Sequence, residues 1–145
     1  MKALLIGPEG AGKTTLCYRL SGREAPVRPT QMFRRIGALL DTPGVYLANP
    51  DFYHALIVGA QQADAVLLAV APDCAADCVP PGFSQCFSRP VYGVLTKCDL
   101  PDRGRAESVL LSAGVRAAPF QVSCRTGEGL PALARWLARP PERRR

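Results

Sequence analysis

The stretch "GPEGAGKT", Gly7 to Thr14, constrains this chain more than any other. It reads Gly-x-x-x-x-Gly-Lys-Thr, directly after the apolar run Ala3 to Ile6 and at the start of a helical pattern over Lys13 to Leu20. Glycines in such a loop let successive backbone N–H groups converge on an anion. The helix that follows adds a dipole favouring negative charge at its N-terminus. A strand–loop–helix context is what the motif requires. The expected phosphate cradle is therefore Gly7, Pro8, Glu9, Gly10, Ala11, Gly12, Lys13, Thr14 and Thr15. Lys13 offers a point charge to β- and γ-phosphates, and the Thr14 hydroxyl a ligand for Mg²⁺. ATP and GTP carry the same triphosphate, so the loop does not choose between them.

The remaining pattern fits an α/β domain. Strands are expected over Ala3 to Ile6, over Arg35 to Leu40 ending at Asp41, and over Ala65 to Val70, Val91 to Leu95 and Phe120 to Val122. Helices are expected over Lys13 to Leu20, Phe52 to Ala60, Arg103 to Ser112 and Leu130 to Ala138. In the second of these, Phe52, Ala55, Leu56 and Gly59 fall roughly on one face; in the last, Leu130, Leu133 and Leu137 do. Strands that are apolar throughout, with helices between them, predict a mostly parallel sheet covered on both sides, a three-layer αβα arrangement with right-handed crossovers. Pro72 to Pro90 contains Pro80-Pro81-Gly82 and predicts a largely irregular connection with at most a short helix.

Size and composition set bounds. The chain has 145 residues, 48% of them hydrophobic and 21% charged, which suits one domain over 1–139 followed by a basic, disordered tail over 140–145. No apolar run reaches the roughly 18 residues a membrane span needs, and the N-terminus is too soon interrupted for a secretory signal. The expected compartment is the cytoplasm. The net charge is +6, with 15 arginines among 18 basic residues, but the arginines are scattered and no nucleic-acid motif accompanies them. Nucleic acid is therefore not an expected partner. Of the six cysteines, Cys74, Cys78 and Cys86 share one loop, in a spacing unlike familiar zinc sites. Small buried or half-exposed free thiols are the expectation in a reducing compartment.

Three further motifs follow the phosphate loop in order. Asp41-Thr42-Pro43-Gly44 ends a strand. A carboxylate there can hold the Mg²⁺ shell through water, and the N–H of Gly44 can sense a γ-phosphate; the same four residues also make a good β-turn. Thr96-Lys97-Cys98-Asp99 ends another strand. The Asp99 carboxylate can accept two hydrogen bonds from guanine, at N1–H and the 2-amino group, while adenine has no such donors and would leave it unpaired. The stem of Lys97 can lie along a base plane. Asp99 as a plain helix cap is the competing reading. Ser123-Cys124-Arg125 is placed to offer a backbone N–H to guanine O6 and a cation over the base or ribose.

In this order the four motifs resemble the signature set of the Ras-like, translation-factor-related P-loop GTPases. More narrowly, "RPTQ", "DTPGVYLANPDFYHALIVGAQQADAVLLAV", "PPGFSQCFSRPVYGVLTKCDL" and "SCRTGEGL" resemble the ethanolamine-utilisation EutP and propanediol-utilisation PduV family. The resemblance implies a small Mg²⁺-dependent GTP-binding protein, cycling between GTP and GDP, with ATP a lesser ligand. It implies that Thr30, separated from Asp41 by ten residues, is a switch threonine closing on Mg²⁺ and the γ-phosphate. The implied catalytic group is then Lys13, Thr30 and Gly44, and the implied metal group Thr14, Thr30 and Asp41. It also implies a link to bacterial microcompartments, with a shell or enzyme protein as partner, and an acetate kinase activity ascribed to the ethanolamine branch.

One departure stands out. Val45 follows Gly44, where many Ras-like GTPases carry a glutamine that orients the attacking water. Hydrolysis is expected to be slow. This keeps two alternatives open: a phosphotransferase of the acetate kinase type, and a module that uses nucleotide only for stability. Cys98 and Cys124 are expected in two loops that converge on the base, where oxidation of the pair would block nucleotide. His54 is expected on an exposed helix face, and Trp136 as a packing residue.

Overall fold

The computed structural model describes residues 1–22 and 33–141. Six strands form one sheet: β1 (Ala3–Ile6), β2 (Arg34–Ile36), β3 (Leu39–Asp41), β4 (Ala65–Val70), β5 (Val91–Leu95) and β6 (Phe120–Gln121). Five α-helices accompany them among the described residues: α1 (Lys13–Ser21), α2 (Val45–Ala48), α3 (Tyr53–Gln61), α4 (Gly104–Ser112) and α5 (Leu130–Leu137). The sheet order is β2-β3-β1-β4-β5-β6. Every pairing is parallel except β2 with β3.

The sequence explains the centre of this sheet. All residues of β1 and β4 are buried, as apolar runs covered on both faces must be. Register partners in a parallel sheet share a face, so Leu4 and its partner Leu40 point the same way. That face meets α3, where Gly59 lies beside Leu4 and makes room for the Phe33 ring, and α4, whose Leu110 lies against Gly93. The other face carries Leu39, which lines a cavity with Cys17 of α1 and Leu137 of α5. Helices therefore cover both faces, the three-layer arrangement expected.

Two differences from the sequence reading have clear causes. The segment expected as one strand over 35–41 is a hairpin: Gly37, at φ 60, turns the chain between Ile36 and Leu39. A two-residue hairpin turn needs positive φ at its first central position, which glycine supplies. β2 then forms the sheet edge with Arg34 and Arg35 exposed, a charged edge that resists pairing with other chains. The other difference is at Phe52, exposed and in a 3₁₀ turn over Pro50–Phe52, so that α3 starts one residue later and buries Leu56, Gly59 and Ala60.

The β4–β5 connection has only a 3₁₀ turn, Phe83–Cys86, as its composition predicts. It is held by Phe83, edge-on to both Tyr53 and Phe87, and by Gly82 N–H and Ser84 N–H donating to Ser112 and Ala113 carbonyls at the end of α4. Trp136 packs edge-on to Tyr92 and also against Phe120, the structural role expected of it. His54 is exposed on α3, as expected. Residues 142–145 of the basic tail lie outside the described residues. No helix of the described residues is long and apolar enough to cross a membrane.

Gly129, at φ 76, starts α5 where a Cβ would collide with the Gln121 carbonyl of β6. Gly129→Ala is expected to destabilise the fold by about 2 kcal/mol or more, strain and collision acting together. The shift of the urea midpoint at unchanged m-value checks this.

Candidate functional site

The sheet order reverses between β1 and β4, the place where open α/β sheets form a crevice beyond their strand carboxyl ends. The phosphate loop leaves β1 there. Gly7 lies against the backbone of Ala69 of β4, whose carbonyl a Cβ at residue 7 would strike. Gly10 and Gly12 hold φ 82 and 81, the left-handed conformation that folds the loop back on itself. The Lys13 side chain returns across the loop, and its ammonium donates to the Pro8 carbonyl at 3.3 Å. Only 6% of Lys13 is exposed. Burial holds its pKa below the ordinary lysine range, an effect that the negative charges of Asp41 and Glu9 partly reverse.

The second motif meets the first. Asp41 ends β3 beside Leu5 of β1 and is fully buried. The Thr14 hydroxyl donates to its carboxylate at 2.7 Å. Next to it the buried Thr42 donates to the Leu5 carbonyl at 2.8 Å, fastening the turn to β1. Gly44 then passes so close to the phosphate loop that a Cβ there would lie 2.7 Å from Glu9 N and Cγ. Thr14 and Asp41 supply hard oxygens beside a buried cation, a donor set that suits Mg²⁺. That ion keeps several waters and takes only one or two protein groups when it is bound with phosphates. Thr30, the third expected metal ligand, lies outside the described residues. Among the described residues no three His, Cys, Asp or Glu side chains are grouped to hold a metal by themselves, Cys74, Cys78 and Cys86 included.

The third and fourth motifs close the other end. A cleft of about 510 Å³ is lined by Ala11, Gly12 and Thr15 of the phosphate-loop region, by Thr96, Lys97, Asp99 and Leu100, and by Cys124, Arg125 and Asp73. Thr96, buried, donates to the Ala11 carbonyl at 2.6 Å and ties this turn to the phosphate loop. Lys97 adopts φ 52, rare for a residue with a side chain. It reaches Asp73 at 3.3 Å, an exposed pair. Asp99 accepts a hydrogen bond from the Ser123 hydroxyl at 2.8 Å, and this bond chiefly holds its carboxyl below the usual range, with Arg125 and Lys97 assisting. Ser123 is itself buried and accepts from the Thr126 N–H.

All the expected site residues among the described ones thus gather along one edge of the sheet. The structure adds two groups that motif reading missed. Asp73 stands in an irregular loop with no pattern around it. The Ser123 hydroxyl was expected only as part of a turn offering backbone N–H, and instead orients Asp99 directly. The thiols are free. Cys98 is buried and donates to Glu128 at 3.5 Å, while only Cys124 of the two lines the cleft. Burial raises the pKa of both, and that of Cys78 to about 11, so none is a poised thiolate near neutrality.

Comparison with solved structures places the fold. The chain superposes on a probable GTP-binding protein, engB, with a TM-score of 0.66 over 93% of this chain and 95% of that one, at 16% identity. It also matches a bacterial selenocysteine-specific elongation factor with a TM-score of 0.60, covering 28% of that longer protein, at 19% identity. The fold is that of the P-loop NTPases. Among curated relatives, the propanediol utilization protein PduV of Citrobacter freundii is 36% identical over 82% of this chain and 81% of its own. A protein named probable acetate kinase EutP, from Salmonella typhimurium, is 33% identical over 92% of this chain and 86% of its own. The family model described as ethanolamine utilisation - propanediol utilisation matches residues 1–139. With nearly the whole length matched and the four motifs brought to one edge of the sheet, the chain belongs to the PduV–EutP family.

Proposed function

We propose that the chain is a small Mg²⁺-dependent GTP-binding protein with slow GTPase activity, acting as a switch or assembly factor in ethanolamine or propanediol utilisation. One observation carries the reading: the phosphate-loop residues Gly12 and Thr15 and the carboxylate of Asp99 line the same cleft. A triphosphate at one end and a base at the other is the ligand that matches both.

Each residue then has a task. The loop N–H groups and the Lys13 ammonium bind the β- and γ-phosphates. Their negative charge offsets the burial cost of Lys13. Thr14 and Asp41 hold Mg²⁺, joined by Thr30, and the metal when bound neutralises charge on the β- and γ-oxygens. The Gly44 N–H meets the γ-phosphate, and the turn is free to withdraw when that phosphate leaves. Asp99, aimed by Ser123, takes the guanine N1–H and 2-amino group. The Lys97 stem and Arg125 flank the base, and the Cys124 N–H faces O6. The partner proposed for a switching cycle is a microcompartment shell or enzyme protein of ethanolamine or propanediol utilisation, the two processes that the family description names.

A second reading has one observation in its favour, the acetate kinase name carried by relatives 33% identical to this chain. A coupled assay with acetate and each nucleotide separates the two. Acetate-dependent turnover abolished by Lys13→Ala supports the second reading.

Binding by the purified protein, GTP against ATP and with or without Mg²⁺, tests the first. GTP is expected to bind more tightly than ATP and to need Mg²⁺ for full affinity; equal affinities overturn the guanine assignment. Asp99→Asn is expected to weaken GTP by about 100-fold, two charge-assisted hydrogen bonds being lost, and to gain xanthosine triphosphate. Ser123→Ala removes the bond that aims Asp99. It is expected to cost about 1 kcal/mol, roughly fivefold in GTP affinity, with ATP unchanged. Isothermal titration of the variants reads both.

A further inference from the structure

We propose that Glu9 orients the attacking water, in place of the glutamine that Val45 has displaced. The inference rests on the GTPase reading above.

Val45 is 46% exposed and offers no polar side-chain atom. The neighbouring turn supplies what it lacks. Gly44 packs directly on Glu9: a Cβ at residue 44 would lie 2.7 Å from Glu9 N, 2.7 Å from its Cγ and 2.9 Å from its Cα. Glu9 thus approaches the side of the site where Gly44 would meet a γ-phosphate. Its charge is felt at the Lys13 ammonium, together with that of Asp41. It is exposed, so bulk water reaches it.

The electrostatics sharpen the point. A carboxylate on a phosphate-binding loop repels the ligand and adds nothing to ground-state affinity. An interaction realised at the transition state raises the rate even where it does not help binding. The Glu9 carboxylate accepts a hydrogen bond from a water and turns its lone pair towards the γ-phosphorus. The water oxygen then bonds to phosphorus. The bond from phosphorus to the β–γ bridging oxygen breaks, its electron pair leaves with GDP, and the water's protons end on inorganic phosphate. Both the cost and the gain reside in one side chain, which makes them separable by substitution.

The test uses the full chain and two variants, Glu9→Ala and Glu9→Gln. Single-turnover GTP hydrolysis is expected to fall about 10- to 100-fold in Glu9→Ala, the scale of a lost positioning group. In Glu9→Gln, which keeps an acceptor, it is expected to stay within about fivefold of the parent. Binding gives a second readout: the affinity for 5′-guanylyl imidodiphosphate relative to GDP is expected to rise about threefold or more in Glu9→Ala, as like-charge repulsion is relieved. Parent-like hydrolysis in Glu9→Ala, or an unchanged affinity ratio, overturns the role of Glu9 while leaving the GTPase reading intact. Failure of the parent protein to bind GTP overturns both.

Discussion

Everything in the candidate site hangs from the carboxyl end of β1. This strand is buried throughout and sits between β3 and β4. Its register sets Leu5 opposite Asp41 and Ile6 opposite Leu68. Two rungs further, Val70 pairs with Leu95 and Leu95 with Gln121. The strands therefore finish nearly in step, and the four motif loops leave the sheet along one line. Two buried threonine hydroxyls then fasten the loops: Thr42 to the Leu5 carbonyl and Thr96 to the Ala11 carbonyl. Each ties a motif loop to the backbone of β1 or of the phosphate loop, so the hydrogen bonds that finish the fold also fix the spacing of the site.

The same edge concentrates charge that the fold alone does not need. A lysine almost wholly buried is disfavoured in its charged form, and the lowered pKa of Lys13 expresses that. A folded-state pKa below the unfolded value means that the charged form opposes folding; the opposition is complete below the folded pKa and fades as pH rises from there towards the unfolded value. Asp41 limits this cost without removing it. In the proposed reading an anionic ligand completes the arrangement, and ligand binding and fold stability are linked through one ammonium group.

Most of this was legible in the sequence because it depends on local rules. Ala3 to Ile6 followed by glycines and a lysine specifies strand, loop and helix start without reference to anything distant. Asp41 and Asp99 were legible for the same reason, each closing an apolar run. What depended on packing was not legible. Gly37 sits inside an apolar stretch that reads as one strand, and only pairing of β2 with β3 shows that it turns the chain. The Ser123 hydroxyl meets Asp99 across 24 residues, through the pairing of β5 with β6 and not through any spacing in the sequence. Asp73 carries no pattern at all, and its place beside Lys97 follows from where β4 ends.

In the proposed reading the base end and the phosphate end of the site are built with different firmness, and this bears on how a ligand would be chosen. At the base end the Asp99 carboxylate is held by a buried serine, itself tied to Thr126 N–H, so its direction is fixed before any ligand arrives. Lys97, by contrast, is held to Asp73 by an exposed pair, a kind worth about 0–1 kcal/mol. It is free to lie along a base plane at little cost. A fixed acceptor beside a yielding apolar stem discriminates by hydrogen-bond pattern and not by shape, because a base lacking the right donors leaves the fixed carboxylate unpaired. At the phosphate end Gly44 meets Glu9 through a close approach that the absence of a Cβ permits. In the proposed reading that contact opens and closes as the turn moves. In the proposed reading, identity is therefore read at the rigid end and the state of the γ-phosphate at the movable one.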